Sequence, residues 1–174
     1  KIKAQTQDLV DFLVSSYVFY DAMLIVDEKG IVKVTNSKNE LGKDVNFTSL
    51  IGKDLSEEAW FKKAKDLKAV FYTDYTVNTD VAKILGSSGE GMEFVCPMKD
   101  ENGNIVGFWY NFVNWERLNK GIRQETESTL KKNFPNSFVV ITDSLGKVID
   151  SEDAKLVGSN KVSTSKFNAG EDFI

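Results

Sequence analysis

The chain of 174 residues has no histidine, one cysteine and two prolines. Without histidine it lacks the commonest general base and the commonest ligand of zinc and iron. A single cysteine excludes an internal disulfide and a cysteine-rich metal site. Cys96, set among Phe94, Val95 and Pro97, is expected to be a small buried hydrophobe. No apolar run approaches the roughly 20 residues that span a bilayer, and no signal-peptide pattern is present. The acidic and basic residues nearly balance, with a net charge of −4 and interspersed signs, which argues against nucleic acid or an anionic membrane face as partner. No nucleophile is paired with a base and no ligand spacing fits a metal. The glycine-serine stretch GSSGEG at 86–91 lacks the lysine and helix that a phosphate loop requires. No enzymatic activity, cofactor or metal is expected.

What is present is the composition of a folded globular protein, 41% hydrophobic and 28% charged. The length suits one ordinary domain, or one domain and part of another. A start at Lys1 is expected of a segment cut from a longer protein.

Hydrophobic patterning predicts a helix over 1–17, with Ile2, Leu9, Phe12, Leu13 and Ser16 along one side. Residues 22–26 and 31–35 predict a hairpin closing on Gly30. Residues 54–67 predict a helix with Asp54 as N-cap and Glu57 in the capping-box position. Strands are predicted over 68–77, 92–98 and 105–113, the last two joined by an Asp100-x-x-Gly103 turn. Asn114 then caps a helix from Trp115 to about Lys132, ended by Pro135. Consecutive strands joined by tight turns imply an antiparallel sheet with the helices gathered on one side, an α+β fold.

After Pro135 the hairpin recurs. Ile25, Asp27, Gly30, Val32 and Gly42 fall, at one constant offset and without a gap, on Ile141, Asp143, Gly146, Val148 and Gly158. The spacing points to a duplicated module, the second copy cut short at Ile174.

Two polar side chains interrupt otherwise aromatic strands. Asn111 sits among Phe108, Trp109, Tyr110 and Phe112, and Asp74 sits between Tyr72 and Tyr75. An unpaired buried amide costs about 1–3 kcal/mol, so Asn111 either pairs within the protein or faces a ligand. Asp74 either pairs with a lysine, binds a cationic group or lies at an exposed strand end. Trp60 and Phe61, adjacent on a helix, cannot both point to one spot. One is expected in the core, the other over a pocket.

The hairpin LIVDEKGIVKVTN, the glycine twelve residues after its turn, the Trp60–Phe61 pair in a short helix and CPMKDENGNIVGFWYN running into a helix together resemble the double-Cache sensor domains of bacterial receptors. The resemblance covers nearly the whole chain. It implies a long N-terminal stalk helix over 1–17, a PAS-like membrane-distal ligand-binding module over 18–115, a connecting helix over 116–133 and the start of a membrane-proximal module over 134–174. In family members that bind amino acids, an Arg-x-Trp-Tyr-x-Asp pattern and a later tyrosine and aspartate hold the zwitterion. Here Trp60 keeps the tryptophan, Phe61 replaces the tyrosine, and Glu58 and Lys63 stand in place of the arginine and aspartate. The later tyrosine corresponds to Tyr75, or its role passes to Tyr72 and Asp74, and the final aspartate falls near Asn111 or Phe112. Without the arginine, a standard amino acid is not an expected ligand unless Lys62 or Lys63 substitutes. Trp109-x-Asn111 is similar to a pattern in one chemoreceptor subgroup.

The resemblance implies an extracytoplasmic (periplasmic or extracellular) sensor of a small polar organic ligand, on a methyl-accepting chemotaxis receptor. It would be a homodimer through the N-terminal helix, tied to the membrane by flanking spans. The same module on a histidine kinase or cyclase is the first alternative. A ligand-free domain that dimerises or transmits force is the second. The expected ligand site is Trp60, Tyr72, Asp74, Tyr75, Trp109 and Asn111, with Asp74 and Asn111 reaching one cavity edged by Trp60 and Trp109.

Overall fold

Six strands pair antiparallel in one sheet: β1 (Tyr20–Asp27), β2 (Val32–Thr35), β3 (Phe71–Tyr72), β4 (Thr76–Val77), β5 (Glu90–Lys99) and β6 (Ile105–Asn114). This computed structural model describes residues 2–159. The strand order is β2-β1-β6-β5-β3, with β4 also on β5, so β6 enters at the centre between the first hairpin and β5. The fold is α+β with a leading helix and a PAS-like antiparallel sheet.

Strand alternation divides the sheet's side chains between two layers. On one face Ala22, Leu24, Val26, Val95, Phe108, Tyr110 and Phe112 pack with Phe47 and with Trp60, Phe61 and Ala64 of helix α2 (Ala59–Leu67). Val81 of helix α3 (Thr79–Leu85) joins them. On the other face Met23, Val34, Ile25 and Trp109 pack with Val10, Leu13 and Val14 of helix α1 (Ile2–Ser16). The helices therefore flank the sheet on both sides rather than gathering on one. Each aromatic ring of β6 on the α2 face is at most 1% exposed. Burial on that scale is worth about 1.5–3 kcal/mol per side chain.

Several local expectations are corrected. The buried stripe of α1 is Val10, Leu13 and Val14, while Leu9 and Phe12 are exposed. Helix α2 starts at Ala59, not near Asp54, whose carboxylate instead accepts from the Ser56 N–H in a tight turn. The strand expected over 68–77 breaks between β3 and β4, where the Thr73 hydroxyl accepts the Glu93 N–H in place of a backbone partner. Helix α3 had no counterpart in the patterning. Its signals were Asn78, whose side chain accepts from Asp80 and Val81 N–H, and Gly86 in the left-handed conformation that ends it. Cys96 is exposed, not buried.

By packing, the chain forms two compact units, one up to Leu118 and one from Asn119 on. Helix α4 (Trp115–Asn133) begins in the first, capped by Asn114 Oδ1 accepting the Arg117 N–H. In the second unit, β7 (Val140–Thr142) and β8 (Val148–Ser151) form a hairpin. The expected boundaries near 17, 115 and 133 are not decided by this division, and residues 160–174 of the expected last segment lie outside the described residues.

The two hairpins share one register. Leu24, Ile25 and Val26 face Thr35, Val34 and Val32, with a bulge after Ile25; Val140, Ile141 and Thr142 face Ser151, Asp150 and Val148, with a bulge after Ile141. Both turns are built alike. The aspartate carboxylate accepts two backbone N–H groups, from Lys29 and Ile31 in one and from Leu145 and Lys147 in the other. Gly30 and Gly146 sit at φ 94° and 82°, a region that favours glycine. The gapless match of Gly42 to Gly158 is corrected. Gly158 donates to Val148 O as Gly52, not Gly42, donates to Val32 O. The excursion from Ser37 to Val45 has no equivalent in the second hairpin.

Candidate functional site

Between the α2 face of the sheet and the helices above it lies a cavity of about 230 Å³. Its floor is Ala22 and Leu24 of β1, Glu93 of β5 and Tyr110 of β6. Its roof comes from Glu58, Ala59 and Trp60 at the start of α2 and from Thr76 to Val81, where β4 runs into α3. Phe47, Leu50, Lys53 and Leu55 close one side. The position of this opening follows from local chemistry. Thr73 holds both backbone groups of Glu93 across the break, and the Asn78 cap starts α3 directly after β4, so that Thr76 to Val81 line the cavity opposite the floor.

A chain of hydrogen bonds crosses the floor. The Asn78 Nδ2 donates to the Tyr110 hydroxyl at 3.0 Å, and that hydroxyl donates to Glu93 Oε1 at 3.0 Å. Asn78 Oδ1 is occupied by the helix cap, so its side chain holds both α3 and Tyr110. Burial pushes the Glu93 carboxyl above its ordinary range, and the charge of Glu58 pushes the same way, against hydrogen bonds from the Tyr110 and Thr73 hydroxyls. Burial holds the Tyr110 phenol well above its usual value, with the Glu93 charge adding to it. The Trp60 ring lies 4.7 Å from that of Tyr110, centre to centre. Lys53 pairs with Asp80 at 2.5 Å across the rim.

Of the six expected site residues, only Trp60 lines this cavity. Trp109 and Asn111 lie on the opposite, α1 face of the sheet, where Trp109 Nε1 donates to Asn111 Oδ1 at 2.7 Å. The amide's carbonyl is thus satisfied inside the protein by its neighbour two residues back. Tyr72 is 64% exposed and stands beside Phe94, the cross-strand partner of Asn111, on that same far face. Asp74 is exposed in the β3–β4 break, where its carboxylate accepts the Tyr75 N–H. Tyr75 packs edge-on against Trp115 at 5.4 Å, and burial, followed by its bond to Glu90, raises its hydroxyl's pKa. The common cavity for Asp74 and Asn111 is therefore not formed, because a one-residue difference along β6 separates the two faces of the sheet.

Sequence reasoning missed Glu58, Asn78, Glu93 and Tyr110. Glu58 was legible only as a departure from the arginine of the amino-acid pattern. Tyr110 was read only as one of the aromatics around Asn111. Glu93 carried the available signal, a carboxylate within a strand whose neighbours Phe94 and Val95 are apolar.

No family model matches the chain, and no curated protein matches its sequence significantly. Solved structures do match. An extracellular ligand-binding receptor from Desulfohalobium retbaense superposes with a TM-score of 0.64 at 13% identity, over 93% of this chain and 26% of that one. The extracellular domain of a histidine kinase does so with a TM-score of 0.57 at 17% identity, over 89% of this chain and 53% of that one. The ligand-binding domain of the Pseudomonas aeruginosa amino acid chemoreceptor PctC, in complex with GABA, gives 0.56 at 16% identity, over 96% of this chain and 64% of that one. The chain thus has the Cache, PAS-like fold of extracellular sensor domains, and spans less than two thirds of the length of each of these three.

Proposed function

We propose that this chain is the ligand-sensing, extracytoplasmic segment of a transmembrane receptor, in the first instance a chemoreceptor, and that it binds a small polar molecule without transforming it. The observation that carries the reading is the cavity itself. It has an aromatic wall, a small number of fixed polar groups and a volume of about 230 Å³, in a fold used by extracellular sensors. On this reading residues 18–115 are the membrane-distal binding module and 134–174 begin a membrane-proximal one.

A ligand there touches β1 and β6 together, and β6 runs directly into α4 through the Asn114 cap. Binding therefore biases α4 to the extent that the ligand favours one arrangement of these strands over another. The likeness to a histidine-kinase extracellular domain supports the same module on a kinase as the second reading. A ligand-free, force-transmitting domain would fill this space with its own side chains. We further propose a homodimer through α1, supported by Leu9 and Phe12, which are 48% and 64% exposed on that helix. Sedimentation of the wild type against Phe12→Glu tests it, with the variant expected to be monomeric.

The sensing site is tested by a thermal-shift screen of amines, organic acids and amino acids on the wild type and on Ala59→Phe, which places a ring at the exposed cavity mouth. At about 100 times the dissociation constant, a ligand stabilises the fold by ~2.7 kcal/mol. For a chain of this length that is a rise of roughly 5–11 °C. The variant should melt near the wild type and lose the shift. A full shift in Ala59→Phe would place binding elsewhere.

A further inference from the structure

The charge of the cavity says more about its ligand than its shape does. Three carboxylates, Glu58, Asp80 and Glu93, face one ammonium, Lys53, and Asp80 already holds that ammonium at 2.5 Å. Among the described residues neither Glu58 nor Glu93 is ion-paired. Two donors of the floor are already engaged, Asn78 Nδ2 by Tyr110 and the Tyr110 hydroxyl by Glu93. An incoming carboxylate would meet two like charges, and the one ammonium it could reach, Lys53, already has its charge offset by Asp80. An incoming ammonium meets two carboxylates and the rings of Trp60 and Tyr110, whose faces attract cations.

We infer that the ligand is a small organic cation without a free carboxylate, an alkylammonium or short polyamine, held by Glu58 and Glu93 against the rings of Trp60 and Tyr110. The inference rests on the cavity being the sensing site. A volume of about 230 Å³ lies below the roughly 300–1,000 Å³ of drug-sized sites, which limits the cation to a few carbons. The raised pKa of Glu93 fits the same picture. Its carboxylate is held where water solvates it poorly and the neighbouring Glu58 repels it, and a bound cation relieves both.

The experiment uses three probes matched in size, butylamine, 4-aminobutyrate and butyrate, with putrescine and tetramethylammonium completing the cationic arm. Each is titrated by calorimetry into wild type, Glu58→Gln, Glu93→Gln and Ala59→Phe at constant ionic strength. We expect at least one cation to bind, butyrate not to bind, and 4-aminobutyrate to bind more weakly than butylamine. Each glutamine variant should weaken cation binding by about tenfold or more, the worth of one charge-assisted hydrogen bond. Glu93→Gln keeps the shape and an acceptor for the Tyr110 hydroxyl, and without ligand it should melt no lower than the wild type. Butyrate or 4-aminobutyrate binding as tightly as butylamine, cation affinity indifferent to both glutamine variants, or no binding by any cation would each overturn the inference. In the first of these cases loss of binding in Ala59→Phe leaves the sensing site standing. Cation binding unchanged in Ala59→Phe removes the site and the inference together.

Discussion

Asp21 is 4% exposed, one residue before the cavity-lining Ala22, and its charge is met by two groups from the start of α4. Arg117 forms an ion pair with it and reaches Glu40 at 2.8 Å, while Asn114 Nδ2 donates to its other oxygen at 2.9 Å. Burial pulls the Arg117 guanidinium below its ordinary pKa, and arginine is the side chain that keeps its charge when buried in such a pair. Replacing Arg117 with methionine keeps much of the packing and strands the Asp21 carboxylate. Removing one partner of a buried pair costs about 3–5 kcal/mol. The 26% exposure of the Arg117 side chain and the surviving Asn114 bond place this case at the low end, ~3 kcal/mol. That corresponds to a fall of about 6–12 °C in melting temperature. The double variant Asp21→Asn with Arg117→Met carries no stranded charge at position 21, leaving only the more exposed Glu40 without its partner, and should recover half or more of the loss. Thermal melts and urea midpoints at about 0.1 and 0.5 M salt measure both, and the buried pair should respond weakly to salt. A single variant melting within about 2 °C of the wild type would refute this account, as would a double variant no more stable than Arg117→Met.

Three further outcomes follow from named contacts. Because Glu93 titrates above its ordinary value of 4.5 in the folded state, the folded protein binds more protons than the unfolded one between the two values. This group's contribution therefore declines as pH rises through that window, and the melting temperature of Glu93→Gln relative to wild type should be higher at pH ~7.5 than at pH ~4.5. A difference independent of pH, or of opposite sign, contradicts the burial of that carboxylate. Asn111→Ala removes only the acceptor for Trp109 Nε1, so it should cost about 1–2 kcal/mol by denaturant titration and leave any ligand-dependent shift intact. Loss of the shift would return Asn111 to the site. Gly91→Ala should lower stability by about 1–3 kcal/mol, since an added Cβ would stand 2.2 Å from Val113 O and 2.5 Å from the Phe112 ring. A neutral result would mean that β5 shifts freely there.

The residues that spoke for themselves were those whose partners are near in sequence. Asp27, Gly30, Asp143 and Gly146 marked the hairpin turns because an aspartate carboxylate catches N–H groups two and four residues on. Asn114 and Pro135 marked the ends of α4 for the same kind of local reason. The apolar and aromatic run of 105–113 marked β6 as a strand, which the fold places at the centre of the sheet with both faces covered. Local pattern misled where a distant partner competed. Asp54 had the form of a helix cap, yet it bridges Ile31 of the first hairpin through hydrogen bonds of Lys53 and Leu55, and α2 begins only at Ala59.

Which polar groups meet was decided only by the tertiary structure. The sequence by itself determined the antiparallel α+β plan, the repeated hairpin and the aromatic character of β6, because these depend on periodicity and turn chemistry within a few residues. Tertiary structure alone decided that Asn111 turns away to serve Trp109 while Tyr110, its immediate neighbour, turns inward to Glu93 and Asn78. Successive side chains of a strand point to opposite faces, and which face becomes the floor of a cavity depends on where α1, α2 and α3 come to rest on the sheet. That choice is made by burial summed over many residues far apart in the chain, and no short stretch records it.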